Sequence, residues 1–214
     1  MQHTEHDTAD SHRAISAGPP GYYEVMETAI RELLIEKRMI EAAEIRRQIE
    51  VLDSRTPALG AKVVARAWVD PEFRVRLLAD GRSACEELGI SFYDDTKLIV
   101  LENTPKVHNL IVCTLCSCYP RPVLGLPPDW YKLAPYRARA VVEPRAVLAE
   151  FGTVIPDDVE IRVSDSTATV RYLVLPMRPA GTERYSEEDL AALVTRDTMI
   201  GVVAVAIDAG RTPK

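Results

Sequence analysis

The sequence predicts an α+β protein in which a helical N-terminal arm precedes a layered α/β domain carrying a metal-binding cysteine loop. Three observations predict it. Charged segments with helical periodicity come first, β-branched runs appear only from Lys97 onward, and strand-like and helix-like segments follow one another from there to the C-terminus. With 214 residues, 47 % of them hydrophobic, the chain is long enough to bury a core in one or two domains. The organisation expected is a disordered tail over residues 1–20, a helical arm over 21–56 and the metal-binding domain over 57–214.

The tail is polar, with His3, His6 and His12 set among acids. These histidines can bind a metal loosely, but a disordered tail is the reading its composition favours. After the Gly18-Pro19-Pro20-Gly21 break, Met26, Ile30, Leu33 and Leu34 recur at helical spacing, and Ile45, Ile49 and Leu52 share a second helical face. Such a pair cannot bury its stripe alone; it packs on the later domain or on a partner chain. Pro57 precedes a helix over Ala58–Val69, Asp70-Pro71 starts another through Leu78, and a third runs from about Arg82 to Leu88 and stops at Gly89. Cys85 lies in that third helix and reads as a small buried hydrophobe. Strands are expected at Leu98–Leu101 and Leu110–Val112, on either side of a turn at Asn103-Thr104-Pro105. A Pro-rich loop follows (Pro120, Pro122, Pro127, Pro128), then a helix over Pro144–Phe151 and strands over Val159–Val163 and Thr169–Leu175. A last helix, Ser186–Val194, opens on a capping-box-like Ser186 and Asp189.

The net charge of −6, with no basic stripe, excludes nucleic acid as the expected partner. No apolar run approaches the roughly 20 residues of a membrane span, and the N-terminus has no apolar signal segment. A cytoplasmic protein without a membrane partner is the expectation.

Chemistry concentrates in Cys113-Thr114-Leu115-Cys116-Ser117-Cys118. Clustered thiols point to a metal or redox site rather than a disulfide scaffold. An iron–sulfur cluster generally takes four cysteines, and structural zinc four nitrogen or sulfur ligands, so either would have to recruit Cys85 or His108. A redox pair Cys113/Cys116 is open, though no thioredoxin-like context surrounds it. A compact loop suits another arrangement better. Three thiolates close on one ion only if the backbone lies against it, bringing the peptide nitrogens of Ser117 and Cys118 within reach. A strongly Lewis-acidic trivalent ion can displace those amide protons, leaving one position open. Soft thiolates suit low-spin cobalt or iron. His108 reads as a hydrogen-bonding strand or loop residue ahead of a ligand, and Tyr119 and Trp130 as packing or pocket residues.

The loop closely resembles the cysteine claw of nitrile hydratase alpha subunits. The resemblance extends over Tyr119-Pro120, Pro122–Pro128, Trp130-Tyr131-Lys132, Tyr136–Arg139, Glu143-Pro144-Arg145, Arg178–Thr182, Leu193–Arg196 and Met199–Val202, with Leu59–Val64 and Ala67-Trp68 upstream. It implies an enzyme that hydrates a nitrile to an amide. Cys113, Cys116 and Cys118 would bind non-corrin cobalt(III) through sulfur, and Ser117 and Cys118 through backbone nitrogen. Thr114, where iron-type relatives have Ser, points to cobalt ahead of iron. Cys116 would be a sulfinate and Cys118 a sulfenate, the two residues implied in catalysis; a sulfinate is hard to reverse, so the site is a built cofactor. The ion would polarise the nitrile or acidify water, with the Cys118 oxygen as nucleophile or base. The resemblance also implies a hetero-oligomer with a beta-type subunit that supplies arginines to the site, a small-molecule nitrile substrate, and a cobalt-insertion activator protein. Arg171, on a late strand, would support the site or the interface, or else be a surface residue.

Three positions depart from the common two-subunit pattern: Arg121 and Tyr185 stand where Trp is usual, and Met177 where Gln is usual. Arg121 and the stretch Met26–Lys37 look more like the gamma subunit of thiocyanate hydrolase, whereas Leu124–Pro128 pulls back toward nitrile hydratase. A three-subunit nitrile hydratase, of the kind acting on toyocamycin, reconciles both. A non-catalytic thiol-rich metal-binding protein is the reading from outside enzymes.

Overall fold

The computed structural model describes residue 19 and residues 21–93 and 95–207. The tail expected at the N-terminus, with His3, His6 and His12, lies outside the described residues except for Pro19. Contacts within the chain divide it between Glu50 and Val51.

The N-terminal unit holds α1 (Tyr22–Glu36) and most of α2 (Ala42–Asp53). The Glu24 carboxylate reaches back to the Gly21 N–H at 2.8 Å and closes the start of α1. Neither helix has a buried residue. An apolar groove lined by Tyr23, Met26, Ile30, Leu34, Ile40 and Ile45 runs between them.

The second unit opens with α3 (Pro57–Val69), α4 (Pro71–Ala79) and α5 (Gly81–Glu87). Proline occupies the first turn of α3 and α4, where its missing N–H has no helical partner to lose. Asp70 accepts from the Glu72 and Phe73 amides, and Asp80 from that of Ser83, so acidic caps set both later starts. β1 (Lys97–Glu102), β2 (Val107–Val112), α6 (Arg121–Leu124), α7 (Asp129–Lys132), α8 (Ala134–Val142), α9 (Pro144–Glu150), β3 (Glu160–Asp165), β4 (Val170–Leu175), α10 (Glu187–Ala191) and α11 (Arg196–Ile200) follow.

Two expectations change. The segment read as a Pro-rich loop contains α6 and α7 and leads directly into α8. Pro122 and Pro135 fall in the first turns of α6 and α8, where proline starts a helix rather than ending one. The last expected helix, Ser186–Val194, is shorter: α10 keeps the Ser186/Asp189 capping box but ends at Ala191, and a further helix beyond the expected range, α11, begins behind its own Thr195 cap.

The two strands flanking the Asn103-Thr104-Pro105 turn do not pair with each other. β1 pairs in parallel with β4, from Lys97↔Val170 to Glu102↔Leu175, and β2 pairs in parallel with β3, from Val107↔Glu160 to Val112↔Asp165. Parallel pairing with helices packed around it explains why Leu110–Val112 and Leu173–Leu175 are apolar on both faces. The core adds Phe73, Leu77, Tyr131, Leu148 and Met199, each contributing about 1.5–3 kcal/mol by burial. Two glycines hold close approaches near the loop. Gly125 (φ +68°) lies where a Cβ would run into the Arg55 carbonyl, and Gly201 (φ +92°) where one would run into the Asn109 carbonyl.

Candidate metal centre

β2 delivers Cys113 to the point where the strand ends, and the register of β2 with β3 places Asp165 opposite Val112. The Ser166 amide donates to the Val112 carbonyl at 2.7 Å and extends the pairing one step further. Asp165 then grips the loop. Its Oδ1 accepts from the Thr114 amide at 2.9 Å and its Oδ2 from the Thr114 hydroxyl at 2.5 Å. Tyr131, at the end of α7, donates its hydroxyl to the Cys118 carbonyl at 3.0 Å. Arg137, on α8, donates Nη1 to the carbonyls of Cys116 at 3.1 Å and Thr114 at 3.5 Å. Beneath the loop, Tyr136 donates to the Ile111 carbonyl at 2.7 Å, and Tyr119, Tyr131 and Tyr136 pack ring against ring.

These holds bring the sulfurs of Cys113, Cys116 and Cys118 within 4.8 Å of one another. The Cys113–Cys116 separation is 3.5 Å and the Cys116–Cys118 separation 3.3 Å. Two thiolates bound at about 2.3 Å stand about 3.3 Å apart across a right angle and about 3.8 Å apart across a tetrahedral angle. The Cys116–Cys118 spacing matches the right angle and the Cys113–Cys116 spacing lies between the two values. The Cys116 amide donates to the Cys113 sulfur at 3.3 Å.

Charge in the cluster is unevenly held. Hydrogen bonds from the Cys118 and Cys113 thiols, then from the Ser117 amide, lower the Cys116 thiol to about 7. Cys118 moves the other way, to about 12, because it is more enclosed and its neighbour Cys116 carries the negative charge; Arg171 opposes that rise. Cys113 is fully buried, Ser117 and Cys118 half-buried, and Cys116 exposed.

A cavity of about 220 Å³ opens on the cluster. Cys116, Ser117, Cys118 and Tyr119 line it together with Phe92, Tyr93 and Thr96. Among the described residues, the charged side chains lining it are Lys97, Arg121 and Arg171, all basic. Arg121 and Arg171 thus both border the site, Arg121 exposed and Arg171 half-buried on β4.

The remaining candidates fall elsewhere. His108 is buried on β2, where its Nε2 meets the Gly201 carbonyl at 2.7 Å and its Nδ1 the Asn103 amide at 3.4 Å. A carbonyl only accepts, so Nε2 carries the proton, and burial lowers the pKa of this imidazole. Cys85 is fully buried in α5, and burial raises its thiol to about 12. Trp130 packs edge-on against Tyr136 and Phe151 rather than lining the cavity. Sequence reasoning gave no role to Asp165, Arg137 or Tyr131. The last two lie inside motifs the resemblance had marked; nothing local marks Asp165.

The family described as nitrile hydratase, alpha chain, matches residues 21–203. The chain is 58 % identical over 175 residues to the low-molecular weight cobalt-containing nitrile hydratase subunit alpha of Rhodococcus rhodochrous, covering 81 % of this chain and 84 % of that protein. It is 43 % identical over 191 residues to the thiocyanate hydrolase subunit gamma of Thiobacillus thioparus, covering 84 % and 79 %. A double mutant of the Fe-type nitrile hydratase from Comamonas testosteroni superposes with a TM-score of 0.83 at 42 % identity, covering 91 % of this chain and 98 % of that one.

Proposed function

This chain belongs to the nitrile hydratase alpha-chain family, and on that premise we propose that it is the metal-binding catalytic subunit of a cobalt-type nitrile hydratase. The observation that carries the reading is the convergence of three sulfurs of one loop within 4.8 Å of one another, with the Cys116 amide donating to the Cys113 sulfur. Thr114 and the cobalt-containing relative support cobalt(III) ahead of iron.

Cys113, Cys116 and Cys118 would hold the ion through sulfur, and Ser117 and Cys118 through nitrogen. When bound, the ion supplies Lewis acidity toward a nitrile nitrogen or a water oxygen. Cys118 lines the cavity; with Cys116 as sulfinate and Cys118 as sulfenate, a Cys118 oxygen there would serve as base toward water or as nucleophile toward the nitrile carbon. Water adds across the carbon–nitrogen triple bond and the product is the amide. Arg171 and Lys97, which line the cavity, would offset the charge on oxidised sulfurs, and a beta-type partner would contribute further cations. Alpha subunits of this family work with beta subunits. The exposed apolar side chains Tyr22, Tyr23, Val25 and Ile30 on α1 offer surface for such a chain. Cys113 is fully buried, and an insertion protein that opens the loop would give an ion access to it.

Thiocyanate hydrolysis is the second reading, and Arg121 favours it, because a basic side chain on the cavity wall suits a small anion. The higher identity to the nitrile hydratase relative weighs the other way. Side-by-side kcat/KM measurements on the assembled enzyme decide. Aromatic or heteroaromatic nitriles are expected to be converted efficiently and thiocyanate poorly, with Arg121→Trp as the companion variant. Efficient release of ammonia and carbonyl sulfide from thiocyanate, lost in Arg121→Trp, would reverse the ranking. Intact mass tests the non-catalytic reading. Two oxygens on Cys116 and one on Cys118 add about 48 Da, whereas a metal-delivery protein keeps plain thiols.

A further inference from the structure

Arg137 holds an unusual position for a basic side chain at a thiol-rich site. It does not face the sulfurs. It approaches the loop from α8 and donates to two main-chain oxygens, those of Thr114 and Cys116. Its Nε is buried without a hydrogen-bond partner among the described residues. The guanidinium charge is therefore directed at peptide oxygens.

The identity of those oxygens matters. The Cys116 carbonyl belongs to the same peptide group as the Ser117 nitrogen. In a trans planar peptide the C=O and N–H point in opposite directions, so a group that pins the Cys116 oxygen on the α8 side turns the Ser117 nitrogen away from α8. In the preceding peptide of the same turn the Cys116 amide donates to the Cys113 sulfur at 3.3 Å, so the turn directs its N–H side toward the sulfurs. Peptide resonance adds a second effect. When the Ser117 nitrogen gives its lone pair to an ion in place of its proton, the negative charge is shared with the Cys116 oxygen, the atom that Arg137 contacts. A charge-assisted hydrogen bond to that oxygen strengthens as the charge builds. Asp165 grips the other side of the same turn through Thr114, so the loop is clamped by an acid on its N–H face and a base on its C=O face.

We infer that Arg137 is a positioning residue for nitrogen ligation: by pinning the carbonyls of Thr114 and Cys116 it turns the Ser117 nitrogen toward the sulfurs and stabilises the Cys116–Ser117 peptide once that nitrogen is a ligand. The inference rests on the claw reading above. It assigns to this side chain a part in building the metal centre, with no contact to substrate.

The test compares the unaltered full chain, Arg137→Lys and Arg137→Gln, each co-expressed with the companion subunit in cobalt-supplemented medium. Cobalt per chain is measured by elemental analysis, and the sulfur-to-cobalt charge-transfer absorption by spectroscopy. Circular dichroism reports folding. Arg137→Gln is expected to fold and to retain cobalt about 10- to 100-fold more weakly through dialysis against a chelator. Arg137→Lys is expected to retain cobalt better than Arg137→Gln but with a shifted charge-transfer band, since one ammonium cannot span both carbonyls as a guanidinium does. Cobalt content and band both unchanged in Arg137→Gln would overturn the inference. So would an unfolded Arg137→Gln beside an Arg137→Lys with an unchanged band, because that pattern assigns Arg137 to folding alone. An unaltered chain that takes up no cobalt would overturn the functional reading, and the inference with it, and is told apart by the unaltered sample itself.

Discussion

Helix α5 encloses Cys85 completely and burial raises its thiol to about 12, while the loop after β2 leaves Cys116 exposed with its thiol lowered to about 7. The side chain is the same and the surroundings are opposite. Around Cys85 the chain offers apolar packing, which penalises the thiolate. Around Cys116 it offers two more thiols and two backbone amides, which stabilise it. Reactivity in this molecule is set by the donors that reach the sulfur.

The largest effect expected from that contrast is on the metal. Cys116→Ala should leave the fold intact, lose cobalt and reduce nitrile hydration to background, measured by elemental analysis and amide formation. Cobalt retained at full stoichiometry would break the contrast, and the three-sulfur site with it. Thiol labelling sharpens it. In the reduced, metal-free chain, iodoacetamide should modify Cys116 first. Its rate should climb as pH rises through about 7, because the thiolate that reacts appears over that range. Cys85 should stay unmodified until the protein is unfolded in denaturant, as peptide mapping would report.

The smallest effect is on stability. Cys85→Ala should cost about 1–2 kcal/mol through a small cavity, read from urea unfolding, with cobalt content unchanged. The same variant should also alter the alkaline limb. A group whose folded pKa is raised contributes stability that is fully present below its unfolded value and lost as pH rises through the folded one. For Cys85 that window runs from about 9 to about 12, and the variant should lose stability less steeply there. Tyr119, Tyr131 and Tyr136 are raised by burial as well, so the limb should flatten without disappearing.

Much of the fold was legible in local pattern. Pro57 and Asp70-Pro71 marked the starts of α3 and α4, Gly89 the stop after α5, and Ser186 with Asp189 the start of α10, because capping chemistry acts within one turn. The β-branched runs marked all four strands to within three residues of their ends. Their partners were not legible. The turn at Asn103–Pro105 suits a hairpin as well as it suits two strands that part company, and only the packing of helices over both faces selects parallel pairing. Nor did proline content separate a loop from α6 and α8, since the same residue breaks a helix in its interior and begins one at its first turn.

The sequence by itself determined the cysteine loop. Three thiols and their intervening amides lie within six residues, so chain length alone keeps them within reach of one another. The residues that make that reach a defined geometry come from elsewhere in the chain. Asp165 arrives through the register of β3 on β2, Arg137 and Tyr136 on α8, Tyr131 on α7, and Arg171 on β4. None of these approaches has a local signature, because each depends on which surfaces of distant elements pack together. Tertiary structure therefore decided which carbonyls the loop turns outward, which amides it turns inward, and which thiol holds the first negative charge.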